Sequence, residues 1–330
     1  MGSEMCIRDR ISIFKDFKSL LQLIKLFSKQ RPAIVHGNTP KAGLLTMIAA
    51  YICKVPYRIY YLHGLRYEGA TGVKKKLLMN LERVSCRLAT DVFSVSTGVK
   101  NTLTKDGICK KNSTVIWNGS INGIAVDHFN PEAVDATTQA KKYNIQPEDT
   151  VFGFVGRLSG DKGINELVAA FLKVYRTNPT AKLLLVGMFE QDLDPLTPET
   201  LQAIKEHNSI IHAGFQKDIR PFLVLMNIFT FASYREGFGI ALMEAQAMNV
   251  PVISSDIIGC NEIIKEGYNG LLVTPKSVES LRNAMQKLAN DKPLTQKMAA
   301  VSRDYMIKRY EQKRLWQETL TIYKQITSDV

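Results

Sequence analysis

Acidic residues are scarce in the first third of this chain. Residues 1–120 carry 20 Lys and Arg against 7 Asp and Glu, a local balance of +13, whereas the remainder sums to −1. The whole net charge of +12 therefore sits on one side of the sequence. Such asymmetry points to phosphate, nucleic acid or anionic lipid as a partner, with a solvated lysine-rich face as the competing explanation. Cysteine is sparse too: Cys6, Cys53, Cys86, Cys109 and Cys260 are scattered, odd in number and without CxxC spacing. That argues against a disulfide scaffold or a structural zinc site, and for reduced thiols in a cytosolic setting. The longest apolar run, Ala42–Cys53, falls short of the ~20 residues that span a bilayer. A cleavable signal peptide, an internal repeat and a low-complexity tract are also missing.

What is present is patterned. A length of 330 residues exceeds one typical core and predicts two domains. Ile11–Gln30 reads as an amphipathic helix, with Phe14, Phe17, Leu20, Leu21, Ile24 and Phe27 at helical spacing. Strand-like runs follow at Ala33–His36, Tyr57–His63, Asp91–Ser96 and Thr114–Trp117. After a polar stretch framed by Pro131 and Pro147, which reads as the inter-domain joint, a second series runs through Val151–Val155, Lys182–Val186, Ile210–Ala213, Ile228–Ala232, Val250–Ser254 and Gly270–Val273. Strands alternating with helices predict α/β architecture with two doubly wound parallel sheets. Val301–Ile326 reads as one long helix or two.

In doubly wound folds ligands meet the carboxyl ends of the strands, so post-strand residues carry the chemistry. "GRLSGDKG", Gly156 to Gly163, sets Arg157 and Lys162 among glycines, where two cations can close on a diphosphate. "SYREGFGIALMEAQAMNVPVI", Ser233 to Ile253, places Glu236 at a turn and Glu244 inside the helix that follows. Small residues at that helix start offer amide N–H groups to an anion at the positive end of the dipole. With a rise of ~1.5 Å per residue, Glu244 lies about 7–8 Å along the axis from Gly239. One carboxylate then serves the reacting group and the other a ribose. Asp192-Leu193-Asp194 spells a D-x-D metal signature but lies in a Pro-rich loop, and His207 and His212 lack ligand-spaced partners; no metal or cofactor is expected.

Taken with "LLLVG", "HAGF" and "NEIIKEGYNGLLV", these stretches resemble the retaining GT-B glycosyltransferases of family 4. Within that family, "VHGNTPKAGLL", "YYLHGLRYEG" and "LERVSCRLATDVFSVS" are most similar to bacterial enzymes that build surface polysaccharides on a polyprenyl-diphosphate carrier. The resemblance implies two Rossmann-like domains with an interdomain cleft: an acceptor-side domain over 11–140 and a nucleotide-sugar donor domain over 141–330. It implies Arg157 and Lys162 on the donor diphosphate, Glu236 at the donor sugar and Glu244 at the ribose. Gly156, Gly237, Phe238 and Gly239 would approach through backbone, Phe215 would lie near the base, and His63 beside the transferred sugar. A UDP-sugar donor, a polyprenyl-diphosphate-linked saccharide acceptor and an anionic membrane surface are the implied partners, with peripheral attachment to the inner face of the cytoplasmic membrane. The family's opening strand, glycine-rich loop and first βα units are missing before "VHGNTP". "MGSEMCIRDR", residues 1–10, has no periodicity, reads as a non-native extension, and leaves the first domain incomplete. A GT-B sugar-nucleotide 2-epimerase shares the layout but requires a carboxylate–histidine set that is not apparent. A basic nucleic-acid-binding protein would explain the charge but not the Arg157, Lys162, Glu236 and Glu244 set.

Overall fold

The computed structural model describes residues 13–190 and 192–327, so residues 1–10 lie outside the described residues. The chain divides into two compact units. One runs up to Ile121 and takes in the segment from Glu318 onward; the other is Asn122–Gln317. The division therefore falls earlier than the expected boundary at 140. The Pro-framed stretch belongs inside the second unit, where it forms a 3-10 turn at Pro131–Ala133 and a short helix, α5 (Thr137–Lys142). Asn122-Gly123 marks the joint better. Gly123 sits at φ +61°, and a Cβ there would lie 2.4 Å from the Tyr310 carbonyl oxygen.

The first unit holds α1 (Ile13–Gln30), β1 (Ile34–Asn38), α2 (Pro40–Ile52), β2 (Tyr57–Leu62), α3 (Gly72–Leu88), β3 (Asp91–Ser94) and α4 (Thr97–Lys105). Its parallel sheet has the order β1-β2-β3. Thr114–Trp117, expected as a strand, contributes one bridge, Thr114 to Phe93. The run is too short to continue the ladder, and Trp117 turns away at φ +51°. β1 alternates exposed and buried residues as a sheet edge does, whereas β2 is buried over its last four positions.

The second unit continues with β4 (Thr150–Val155), α6 (Ile164–Tyr175), β5 (Ala181–Val186), α7 (Pro198–Glu206), β6 (Ile210–Gly214), α8 (Arg220–Val224), β7 (Ile228–Phe231), α9 (Ile240–Ala247), β8 (Val252–Ser255), β9 (Gly270–Val273), α10 (Val278–Asn290) and α11 (Lys292–Tyr310). Its strands pair in parallel in the order β6-β5-β4-β7-β8-β9. β7 and β8 are buried at every position, as strands covered by helices on both faces must be. The strand order reverses beside β4, so the carboxyl ends of β4 and β7 flank the switch point where such sheets take ligands. The terminal helical stretch is broken at Glu311, which leaves helical geometry at ψ 129°. α12 (Gln312–Thr327) follows, and the division between the units falls within it.

Candidate active site

The post-β4 loop is built on glycines that have no alternative. Gly156 follows the strand at φ +151° and donates its N–H to the Val186 carbonyl at 3.0 Å. A Cβ on Gly187 would lie 1.8 Å from the Gly156 oxygen, so the post-β4 and post-β5 loops run in backbone contact. Gly163 ends the loop at φ +68° as the N-cap of α6, and a Cβ there would meet the Ala232 oxygen at 2.1 Å. The loop is thereby seated on the end of β7, one residue beyond Lys162.

Asp194 clamps that loop from the other side. Its carboxylate accepts the Asp161 N–H at 2.5 Å, and its carbonyl accepts the Gly160 N–H at 3.1 Å. The second acid of the D-x-D signature is therefore a structural acceptor. Among the described residues no group of three metal-ligating side chains comes together.

Lys162 and Glu236 meet across this seat. Lys162 Nζ lies 2.5 Å from Glu236 Oε1, and the Ser233 hydroxyl donates to the same oxygen at 2.9 Å. Both charged side chains are mostly covered, at 18% and 15% exposure. The ammonium also stands 5.7 Å from the centre of the Phe231 ring. Arg157, more open, pairs with Glu190 at 3.3 Å. Burial alone would raise the Asp161 carboxyl, but the Ser159 hydroxyl and the charges of Lys162, Arg157 and Arg235 outweigh it and hold the group below its ordinary value. Arg157 and Lys162 thus both act on the Asp161 carboxylate.

The start of the next helix differs from the expectation of free amide groups. Gly239 is the N-cap of α9, yet its N–H donates to the Gly259 carbonyl at 2.8 Å and is not available to an anion. Gly259 stands at φ +77°, where a Cβ would lie 2.5 Å from the Gly237 oxygen. Phe238 turns its ring inward against Tyr310, with centroids 5.5 Å apart. It anchors the turn from within, at 6% exposure. The Glu244 side chain, four residues into α9, has no hydrogen-bond or ion-pair partner among the described residues, and burial pushes its carboxyl up to about 7. Phe215 follows Gly214 at the end of β6 and is 56% exposed.

Ser233, Asp194 and Gly259 were missed in the sequence. Ser233 lies two residues beyond β7 and Gly259 four beyond β8, and a post-strand position is the one signal that marks them; Asp194 carries none, since its partner is a backbone amide more than 30 residues away.

His63 belongs to the first unit and follows β2 directly. Its Nε2 lies 2.8 Å from the Asn38 carboxamide oxygen. Tyr61 packs edge-on against it at 5.1 Å and stacks on His36 at 5.8 Å. Burial, then the neighbouring His36, lowers the His63 pKa below its ordinary value, so the ring is neutral near pH 7.

The family description "Glycosyl transferases group 1" matches residues 135–305, and "Glycosyltransferase Family 4" matches residues 7–120. The chain belongs to the group 1 glycosyltransferases. It is 33% identical to the capsular polysaccharide biosynthesis glycosyltransferase CapM of Staphylococcus aureus, over 95% of this chain and 82% of that protein. It is also 28% identical to an Escherichia coli UDP-Gal:alpha-D-GlcNAc-diphosphoundecaprenol alpha-1,3-galactosyltransferase, covering 86% of this chain and 73% of the relative. The crystal structure of Anabaena HepE in complex with UDP superposes with a TM-score of 0.80 at 21% identity, over 93% of this chain and 82% of that one. The fold is accordingly GT-B, with two Rossmann-like domains, and the chain is a glycosyltransferase.

Proposed function

We propose that this glycosyltransferase moves a sugar from a UDP-sugar to a polyprenyl-diphosphate-linked saccharide, with retention at the anomeric carbon. The observation that carries the donor half is the Lys162–Glu236–Ser233 cluster at the ends of β4 and β7, with the unpartnered Glu244 in the next helix. A diphosphate drawn to Arg157 and Lys162 exchanges one anionic partner of Lys162 for another. Glu236 is then released toward the sugar hydroxyls, and Glu244 accepts hydrogen bonds from the ribose. Charge developing on the leaving diphosphate is stabilised by two preplaced cations, an arrangement of the kind that dominates electrostatic catalysis. One leaving-group oxygen takes the proton of the acceptor hydroxyl as that hydroxyl attacks from the same face. His63, in the first unit, is neutral and held by Asn38, so it can take part in a hydrogen bond without adding charge. The acceptor half rests on the relatives, since the Escherichia coli protein and a Campylobacter jejuni protein 24% identical over 98% of this chain are both named for diphosphoundecaprenol-linked sugars.

Calorimetry with UDP tests the donor half. Ribose hydroxyls donate better to an ionised carboxylate, so UDP binding lowers the Glu244 pKa and releases protons near pH 7. Wild-type protein should bind with proton release in that range, Glu244→Gln without it, and Lys162→Ala at least about tenfold more weakly, the loss of one charge-assisted contact. Unchanged affinity in both variants would refute the assignment.

A further inference from the structure

The first unit carries a strained residue close to His63. Thr39 alone joins β1 to α2: Asn38 ends the strand and Pro40 opens the helix. It stands at φ +65° and ψ 154°, a region that residues with a side chain all but avoid. The proline that follows accounts for the ψ value but not for the φ. Helix capping does not account for it either, since the Thr39 side chain makes no cap hydrogen bond. Such strain persists only where the surroundings impose it, and it gathers at functional sites.

On the strand side this turn sets Asn38. Asn38 lies level with Tyr61 in the parallel pairing of β1 with β2, and side-chain alternation puts it on the same face of β1 as His36. Tyr61, stacked on His36 and edge-on to His63, donates its hydroxyl to the Ser120 carbonyl at 3.0 Å. Tyr323 backs the group, its hydroxyl 2.9 Å from His36 Nδ1. His63 is thereby packed against Tyr61 and tied at one ring nitrogen to Asn38.

The direction of that tie follows from chemistry. A carboxamide oxygen can only accept, so His63 Nε2 carries the hydrogen that meets Asn38 Oδ1 at 2.8 Å. A neutral imidazole has one such hydrogen, which leaves Nδ1 as a bare acceptor. Among the described residues Nδ1 has no hydrogen-bond partner, and neither has the Asn38 amide nitrogen. One acceptor and one donor therefore stand open at the carboxyl ends of β1 and β2, the edge at which such sheets take ligands. A hydroxyl both donates and accepts, and saccharides are dense in hydroxyls.

We propose that Asn38, set by the strained turn at Thr39, is the positioning residue that fixes His63 in its Nε2–H form and leaves Nδ1 to accept a hydrogen bond from a saccharide hydroxyl. The proposal rests on the reading that this protein transfers a sugar. Either the donor's sugar or the acceptor saccharide supplies the hydroxyl.

Heteronuclear NMR of the whole protein with isotope-labelled histidine, His63 being assigned by His63→Gln, tests this without turnover. At neutral pH the His63 signals should show a protonated Nε2 and a bare Nδ1; the opposite tautomer overturns the proposal. A UDP-sugar and a soluble diphosphate-linked saccharide, added separately, distinguish the two sources. The Nδ1 signal should move with at least one of them and stay in place with UDP alone. A silent Nδ1 in a protein that binds UDP overturns the proposal, whereas absence of UDP binding removes the donor reading beneath it as well. Asn38→Leu should raise the Nδ1–H share and weaken the responding saccharide about tenfold, with UDP affinity kept within about twofold. Equal losses for saccharide and UDP would mark a purely structural role and overturn it. Thr39→Gly should keep or raise the melting midpoint, because glycine tolerates that backbone, yet weaken the same saccharide. A lowered midpoint would contradict the strain. The wild-type spectra decide the tautomer and the hydroxyl contact even if a variant fails to fold.

Discussion

At the scale of single residues, the site is governed by charges whose partners are few and specific. Lys162 is held by Glu236 and faces Phe231, so Lys162→Ala removes a cation from the proposed donor site and leaves a largely covered carboxylate without its ion pair. Turnover should fall by about 10²-fold or more, the usual consequence of losing a charge-stabilising group, and steady-state rates with saturating acceptor measure it. Buried carboxyls set a pH signature of their own. Glu244 and Glu82 are both raised from 4.5 to about 7, chiefly by burial, with Tyr60 donating to Glu82 at 2.7 Å. Their folded-state values exceed the unfolded ones, so the native state holds more protons between those limits. Stability should therefore decline as pH rises from about 4.5 through 7. Melting temperatures across pH should show that decline, and Glu244→Gln should flatten part of it; a rise over the same interval in wild type would contradict the burial. Arg157, Lys162, Glu236 and Glu244 could be proposed from the sequence because post-strand charges among glycines are rare and patterned; the structure adds the Lys162–Glu236 contact. Ser233 and Asp194 were not, because their work is to hold Glu236 and the Asp161 amide in place.

At the scale of elements, strands were read more accurately than their connections. The central strands of the second sheet are nearly continuous apolar runs, and β7 and β8 are buried at every position. The joint between units was misplaced because proline and polar residues mark turns inside a domain as readily as links between domains. Loop seating offers a sharper test. Gly163→Ala forces a side chain into left-handed backbone and against the Ala232 carbonyl. The native loop should lose about 1–3 kcal/mol, and UDP affinity should fall with it, since Lys162 precedes the displaced residue. Denaturant unfolding with and without UDP measures both. Arg303 makes a second clamp: it donates to the carbonyls of Ala247 at 2.6 Å and Val126 at 2.8 Å, and to that of Phe129. It joins the end of α9 to the segment after the joint, and nothing in its sequence context marks it.

For the whole molecule, the question is where a one-sided charge brings it. Lys74, Lys75 and Lys76 are exposed within the first five residues of α3, toward the positive end of its dipole, where cations are locally unfavourable. α1 leaves Phe14 90% and Phe17 60% exposed among lysines. Among the described residues no helix is long and apolar enough to cross a membrane. Both features favour attachment to an anionic surface. The triple Lys74/Lys75/Lys76→Glu variant should lose binding to anionic vesicles by at least roughly 100-fold at low salt, at ~1 kcal/mol for each lysine. Equal sedimentation of both proteins would leave the lysines as a solvated face. The charge imbalance was plain in the sequence, whereas the outward turn of Phe14 and Phe17 was not, because helical periodicity alone places them in a core. The central claim concerns the reaction itself. Purified protein with a UDP-sugar panel and a polyprenyl-diphosphate-linked saccharide, with products followed by mass spectrometry and anomeric NMR, tests it most directly. The account predicts an acceptor heavier by one sugar, with the donor's anomeric configuration kept and formation largely unaffected by EDTA. An inverted linkage, or no extension of any lipid-linked acceptor by a protein that binds UDP, would contradict it.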